Sequence, residues 1–218
     1  MKNIAVIARK GGSGKTTVAV NLAIAAFRRG HTIQIADIDP QASALEVLKA
    51  RKIEGPKVVQ TTGEALYAGR NEPSLGLGLR LIDTPAGSAD AIAHAIGLAQ
   101  VSLLVVRPTF LDLAATLQTA QILRRLRRPG LILLNQAPVP RGGVEPPAVK
   151  RALDALRLMQ LPVAPIVLRA RAAYQTGLAL GCSVEETGGD SRAAEEISAL
   201  WSYVERFALG APRTTEAA

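Results

Sequence analysis

Two kinds of hydrophobic pattern alternate along the chain. Short runs of consecutive apolar residues give way to stretches in which apolar positions recur every three to four residues. The runs predict strands near 3–8, 32–37, 79–83, 101–106, 130–135 and 162–167. The periodic stretches predict helices near 15–29, 42–51, 62–69, 88–98, 112–127, 146–158, 170–179 and 191–208. Val101–Val106 and Leu131–Leu134 are apolar on neighbouring positions, as strands covered on both faces must be. Regular strand–helix alternation implies an α/β fold, a doubly wound and mainly parallel sheet flanked by helices. Segments 52–61 and 71–78 have no clear periodicity and are expected to be irregular insertions, and 138–147 a long loop. Residues 1–210 are expected to form one domain and 211–218 a disordered tail.

The final helix places Ile197, Leu200, Trp201, Val204 and Phe207 on one side. Such a stripe suits either a membrane surface or a protein core. Glu195, Glu196 and Glu205 make it too acidic for an anionic leaflet, so docking onto the sheet is expected.

Chemistry enters where the first strand meets the first helix, at Arg9-Lys-Gly-Gly-Ser-Gly-Lys-Thr-Thr17. Gly11, Gly12 and Gly14 let backbone N–H groups converge on an anion without obstruction. The helix N-terminus adds partial positive charge and Lys15 a full one, while the Thr16 hydroxyl can ligate Mg²⁺. Nucleotide contacts are therefore expected from Gly11, Gly12, Ser13, Gly14, Lys15, Thr16 and Thr17. Two further segments carry carboxylates at strand ends. Asp37 and Asp39 close the second strand at Ile35-Ala-Asp-Ile-Asp-Pro-Gln41, and Asp83 closes the third before Thr84-Pro85-Ala86-Gly87. Near a phosphate loop, Mg²⁺ and an attacking water need oxygen ligands and acceptors of this kind. Asn135 ends the Leu131–Leu134 strand, and its amide offers both a donor and an acceptor to a purine edge.

Charge adds a class of partner. The chain of 218 residues carries 26 Lys plus Arg against 18 Asp plus Glu, a net +8. Such an excess suits a polyanion. Arginines cluster at 124, 125, 127 and 128 and again at 169 and 171, while aromatics are only 3%, which argues against stacking on bases. Cys182 is the single cysteine, so an internal disulfide is excluded, the lack of thiolates counts against a bridging iron–sulfur cluster, and a reducing cytoplasm fits. His31 and His94 lack partners at metal-ligand spacing. No apolar stretch is long enough to span a membrane.

The phosphate-loop segment departs from the general pattern by having Arg9 where a glycine is usual, with Lys10 beside it. In this it resembles the deviant Walker A ATPases of the ParA/MinD family, and most closely the small ParA-type partition ATPases. The likeness covers Met1 to about Phe207, including Asp-x-Asp-Pro-Gln as switch I and the Leu-Ile-Asp-Thr-Pro run as Walker B and switch II. The resemblance implies ATP and Mg²⁺ as ligands, an ATP-bound homodimer in which Lys10 reaches the partner's phosphates, and weak intrinsic ATP hydrolysis. It implies that Lys10, Lys15 and Asp39 serve catalysis, with Asp39 orienting water. Thr16, Asp37 and Asp83 would attend the metal, the carboxylates in part through water. Asn135 would face adenine, with Pro162–Pro165 a candidate wall for the base, and Arg169 and Arg171 would face nonspecific DNA. A ParB-like or other stimulating protein would trigger hydrolysis, in a cytoplasmic, nucleoid-associated cycle that segregates DNA or positions a protein cargo. A MinD-like membrane cycle and a P-loop small-molecule kinase or synthetase are the alternatives.

Overall fold

The structure, a computed structural model, describes residues 1–71 and 76–210. The 71–78 insertion falls partly, and the 211–218 tail wholly, outside the described residues. Six strands form one sheet: β1 Lys2–Ile7, β2 Ile33–Asp37, β3 Lys57–Gln60, β4 Leu79–Asp83, β5 Val101–Val106 and β6 Gly130–Leu134. Every pairing is parallel, in the order β3-β2-β4-β1-β5-β6. The helices are α1 Lys15–Arg28, α2 Ser43–Lys49, α3 Gly63–Ala68, α4 Ala89–Leu98, α5 Phe110–Arg125, α6 Pro147–Arg157, α7 Ala172–Ala179, α8 Val184–Thr187 and α9 Ser191–Leu209. The chain runs outward from β1 in both directions, so the loops after β1 and β5 face each other across the point where the strand order reverses. Ligands of open parallel sheets bind at that crevice.

The two-residue strand repeat sorts the apolar run of each central strand onto two faces. Ile4, Val6, Leu103, Leu131 and Leu133 meet α1, α7 and α9 on one side. Ala5, Ile7, Leu104, Ile132 and Leu134 meet α4, α5 and α6 on the other. This two-sided burial is why the central strands read as continuous hydrophobic runs. On the first face α1 is buried along Val18–Ala26, where alanines 19, 23, 25 and 26 keep the helix thin enough to lie between sheet and α9. Helix α9 then covers α1 with Ile197, Leu200, Trp201 and Val204, each at most 1% exposed. Four of the five residues of the predicted stripe thus belong to the core, as docking onto the sheet requires, while Phe207 at its end is exposed. No helix among the described residues is long and apolar enough to cross a membrane.

Three expectations are corrected. Segment 162–167 is not a strand. It runs beside β6, with Ile132 N–H donating to the Pro162 carbonyl and Ala164 N–H to the Ile132 carbonyl, but makes only single bridges at Val163 and Arg169. Pro162 and Pro165 remove two donors, which breaks the ladder. Conversely, 52–61 contains the edge strand β3, whose residues are mostly exposed and so give no burial signal in the sequence. Finally, α5 begins at Phe110 rather than 112, because the Thr109 hydroxyl accepts the Asp112 N–H as an N-cap.

Candidate nucleotide site

The β1–α1 turn is a cradle by local geometry. Gly12 and Gly14 adopt φ of +73° and +86°, and Gly14 enters α1 in the left-handed region. A Cβ at Gly14 would collide with the Asn135 side-chain amide, so glycine is required there on two grounds. Lys15 is 7% exposed at the helix start. Burial pulls its ammonium below the ordinary lysine value, while the Asp83 and Asp39 carboxylates oppose that shift. A lysine held this way is an anion receptor waiting for charge. A cavity of about 430 Å³ opens over Gly14, Lys15 and Thr16 and is closed by Asp39, Pro85 and Ala86 from the loops after β2 and β4. The predicted motifs, far apart in sequence, therefore share one space.

Asp83 is fully buried at the end of β4, where Oδ2 accepts the Thr16 hydroxyl at 2.7 Å. Its other oxygen, Oδ1, is buried with no partner among the described residues. Burial lifts the carboxyl to about 7, the Thr16 hydrogen bond working against that rise. An orphaned carboxylate oxygen beside a threonine hydroxyl is the donor chemistry of a hard divalent cation. The residues therefore fit Mg²⁺, with Thr16 as a ligand and Asp83 behind it. When bound, the ion supplies neutralisation of phosphate charge. Among the described residues no cluster of three His, Cys, Asp or Glu could hold a metal ion.

The raised value carries a stability consequence. Between about pH 4 and pH 7 the folded, metal-free protein holds a proton on Asp83 that the unfolded chain releases, so this group's contribution falls as pH rises through that window. Asp83→Asn cannot ionise. We expect the metal-free variant to gain stability over the parent on going from pH 5 to pH 8, read as a growing difference in urea midpoint. Its nucleotide affinity should lose most of its Mg²⁺ dependence. A pH-independent difference would mean that Asp83 is ionised in the empty site.

Asp37 and Asp39 divide their work differently from the sequence expectation. Asp37 is fully buried, and its carboxylate accepts backbone N–H groups of Asp39, Ala44 and Leu45 at 2.8–3.1 Å. It caps α2 and fixes the loop through these hydrogen bonds, and it is not among the residues that line the cavity. Asp39 does line the cavity. Its Oδ1 accepts the Gln41 N–H at 3.0 Å and its Oδ2 is left unclaimed among the described residues. In the next loop, Thr84 is buried and donates to the Val6 carbonyl, tying β4 to β1 below the cavity.

Asn135 lies at the site, but its Nδ2 donates to the Ser13 carbonyl at 2.7 Å, which leaves Oδ1 for a base. A second cavity of about 400 Å³ adjoins the first at Thr17 and is walled by Asn135, Gln136, Arg169, Arg171 and Tyr174. Pro162–Pro165 takes no part, since it is paired along β6. Arg169 and Arg171 are also not the free cations expected. Arg169 makes a two-pronged pair with Glu145 at 2.7 and 2.8 Å, and Arg171 meets Glu196 at 2.7 Å and Asp190 at 3.5 Å. Their side chains are 12% and 13% exposed. Sequence spacing showed two arginines but not the carboxylates that fold onto them. Lys10 is half-buried at the loop's outer limb, and Arg9 is exposed.

Residues 4–199 match CbiA, the CobQ/CobB/MinD/ParA nucleotide binding domain. The chain belongs to that family. The ParA/MinD members of that family are P-loop ATPases, and this chain's relatives fall among them. It is 30% identical over 216 residues to the Maintenance of carboxysome distribution protein A of Halothiobacillus neapolitanus, covering 92% of this chain and 95% of that protein. A stretch of 55 residues, 25% of this chain and 22% of the relative, is 42% identical to the chromosome-partitioning ATPase Soj of Thermus thermophilus. Among solved structures, Pyrococcus horikoshii MinD complexed with Mg-ADP aligns with a TM-score of 0.78 at 21% identity, covering 95% of this chain and 97% of that one. A Cyanothece McdA variant in complex with ATP aligns at 0.77 and 17% identity, covering 99% of each. Both show the same fold. Two residues of this ParA/MinD-type site escaped the sequence reading, Arg107 and Gln136. Each lies just beyond the carboxyl end of a sheet strand, the one signal that would have pointed to them.

Proposed function

We propose that this chain is a positioning ATPase whose ATP-bound homodimer holds nonspecific DNA and is released when a partner protein stimulates hydrolysis. The observation that carries the nucleotide half is the single cavity shared by Lys15, Thr16, Asp39 and the loop after Asp83. Lys10 stands on the outer limb of the phosphate loop, from which it would reach the partner's nucleotide and seal the dimer. Relatives named for carboxysome distribution, similar over nearly their whole length, favour a protein cluster as cargo over a plasmid or chromosome locus. The stimulating protein would then be a cargo adaptor in the place a ParB-like protein occupies in DNA segregation.

For the DNA contact the burial of Arg169 and Arg171 shifts the choice. Arg124, Arg125, Arg127 and Arg128, at the end of α5, are all exposed, and Arg128 spends one donor on the Gly97 carbonyl. None of the four meets a carboxylate among the described residues, so their charge is available to phosphates. Such contacts release counterions, and log affinity should fall with log salt by about 0.9 per phosphate contact.

Fluorescence anisotropy on two unrelated duplexes of equal length, at several salt concentrations, tests the reading. ATP should tighten binding relative to ADP, both duplexes should bind within about threefold of each other, and affinity should fall steeply with salt. Arg124→Glu with Arg125→Glu should flatten the salt slope, while Lys10→Ala should remove the ATP effect and the dimer seen by sizing. Equal binding with ATP and ADP, or indifference to salt, would remove DNA from the cycle. A Lys10→Ala protein that dimerises like the parent would remove the lysine from it.

A further inference from the structure

Three consecutive carbonyls of the phosphate loop are each held by a side-chain donor from the neighbouring strand ends. Arg107 Nη2 donates to the Gly11 carbonyl at 3.3 Å, Gln136 Nε2 to the Gly12 carbonyl at 3.0 Å, and Asn135 Nδ2 to the Ser13 carbonyl at 2.7 Å. Arg107 follows β5, and Asn135 and Gln136 follow β6. A trans peptide unit is planar, with C=O and the next N–H pointing to opposite sides. Holding the carbonyls of Gly11, Gly12 and Ser13 toward β5 and β6 therefore turns the N–H groups of Gly12, Ser13 and Gly14 the other way. Those are the donors a phosphate needs.

Arg107 is the charged member of the set and the most firmly seated. Its guanidinium forks onto Asp112, Nε to Oδ1 at 3.0 Å and Nη2 to Oδ2 at 3.2 Å. Asp112 is buried in the first turn of α5 and also accepts the Thr109 hydroxyl. The fork thus anchors the loop to a helix N-terminus through a buried carboxylate. The guanidinium lies close against the loop, since a Cβ at Gly12 would stand 3.4 Å from Arg107 Nη1. On the other side, Gln136 keeps its grip from a left-handed backbone at φ +52°, a conformation that non-glycine residues seldom adopt.

We propose that Arg107, with Asn135 and Gln136, forms a bracket that holds the phosphate loop in its anion-binding shape, and that Arg107 is a positioning residue acting through Gly11. A loop held this way needs no reordering when the anion arrives, and donors aligned in advance bind more tightly than donors that must be recruited. The proposal takes its ligand from the nucleotide-site reading, but the bracket itself is measured on protein without nucleotide.

Two readouts on Arg107→Ala and Arg107→Lys, each beside the parent, test it. Hydrogen exchange of the nucleotide-free protein reports the loop directly. Arg107→Ala should speed exchange at Gly12, Ser13 and Gly14 by about fivefold or more, with β6 amides unchanged as the control for global stability. A fluorescent ADP titration should show affinity down by about tenfold, the effect of one charged hydrogen bond. Turnover at saturating ATP should fall by no more than the affinity does, because Arg107 acts through the loop and not on the reacting atoms. Arg107→Lys keeps one donor and should recover part of both effects. Loop exchange within about twofold of the parent in Arg107→Ala overturns the bracket, and so does a loss confined to turnover. If the parent itself fails to bind ADP, the nucleotide reading falls, and loop exchange still decides the bracket.

Discussion

Lys15→Ala should bind nucleotide two to three orders of magnitude more weakly while melting, when empty, no lower than the parent. Removing one partner of a desolvated charge pair costs about 3–5 kcal/mol, which sets the size of the loss. The second half of the expectation follows from the empty site. Burial lowers the Lys15 value more than Asp83 and Asp39 raise it, so the ammonium sits there at the expense of the unliganded fold. An alanine removes that cost. In a thermal-shift titration the parent gains stability as RT ln(1 + [L]/Kd), about 2.7 kcal/mol at a hundredfold excess over Kd, and the variant should gain at most about 0.4 kcal/mol at the same concentration. A variant that still responds to ADP with Mg²⁺ would mean that the backbone cradle alone carries the affinity. A variant that melts well below the parent would make Lys15 structural.

Asp39→Ala and Asp39→Asn should both bind ATP and hydrolyse it roughly 10²–10⁴-fold more slowly, the worth of a positioned general base. The two variants differ in what they keep. Asparagine retains an Oδ1 that can accept the Gln41 N–H, and so preserves the turn that alanine loses. Neither can receive a proton from water. Single-turnover measurements with saturating DNA and partner separate the outcomes. Slow hydrolysis in both assigns the unclaimed oxygen Oδ2 to the attacking water. Full activity in Asp39→Asn with loss in Asp39→Ala would reduce Asp39 to a turn-former, and full activity in both would clear it of any role.

Much of this site could be read one residue type at a time. Gly12, Gly14, Lys15 and Thr16 are dictated by local backbone geometry and lie within one turn, so a linear motif contains their whole arrangement. The central strands were equally plain, because burial on both faces leaves an uninterrupted apolar run. The edges were not: β3 is exposed, and its pairing to β2 depends on a neighbour more than twenty residues away. Segment 162–167 has the apolar content of a strand, yet its prolines cannot complete a ladder.

The layered α/β architecture, the phosphate cradle and the carboxylates at the strand ends were all written in the order of residues, because each is a property of a short segment. Which polar groups are already taken emerged from the folded chain alone. Asp37 holds the α2 N-terminus, Arg169 and Arg171 are neutralised by Glu145, Glu196 and Asp190, and Asn135 gives its donor to the phosphate loop. Conversely, Arg107 and Gln136, ordinary as letters, become the loop's supports. A charge or an amide is defined by its partner. Apart from Asp37 and its own helix, these partners lie 19 to 124 residues apart, and they meet only when parallel strands bring their carboxyl ends, and the helices that follow them, to one edge of the sheet.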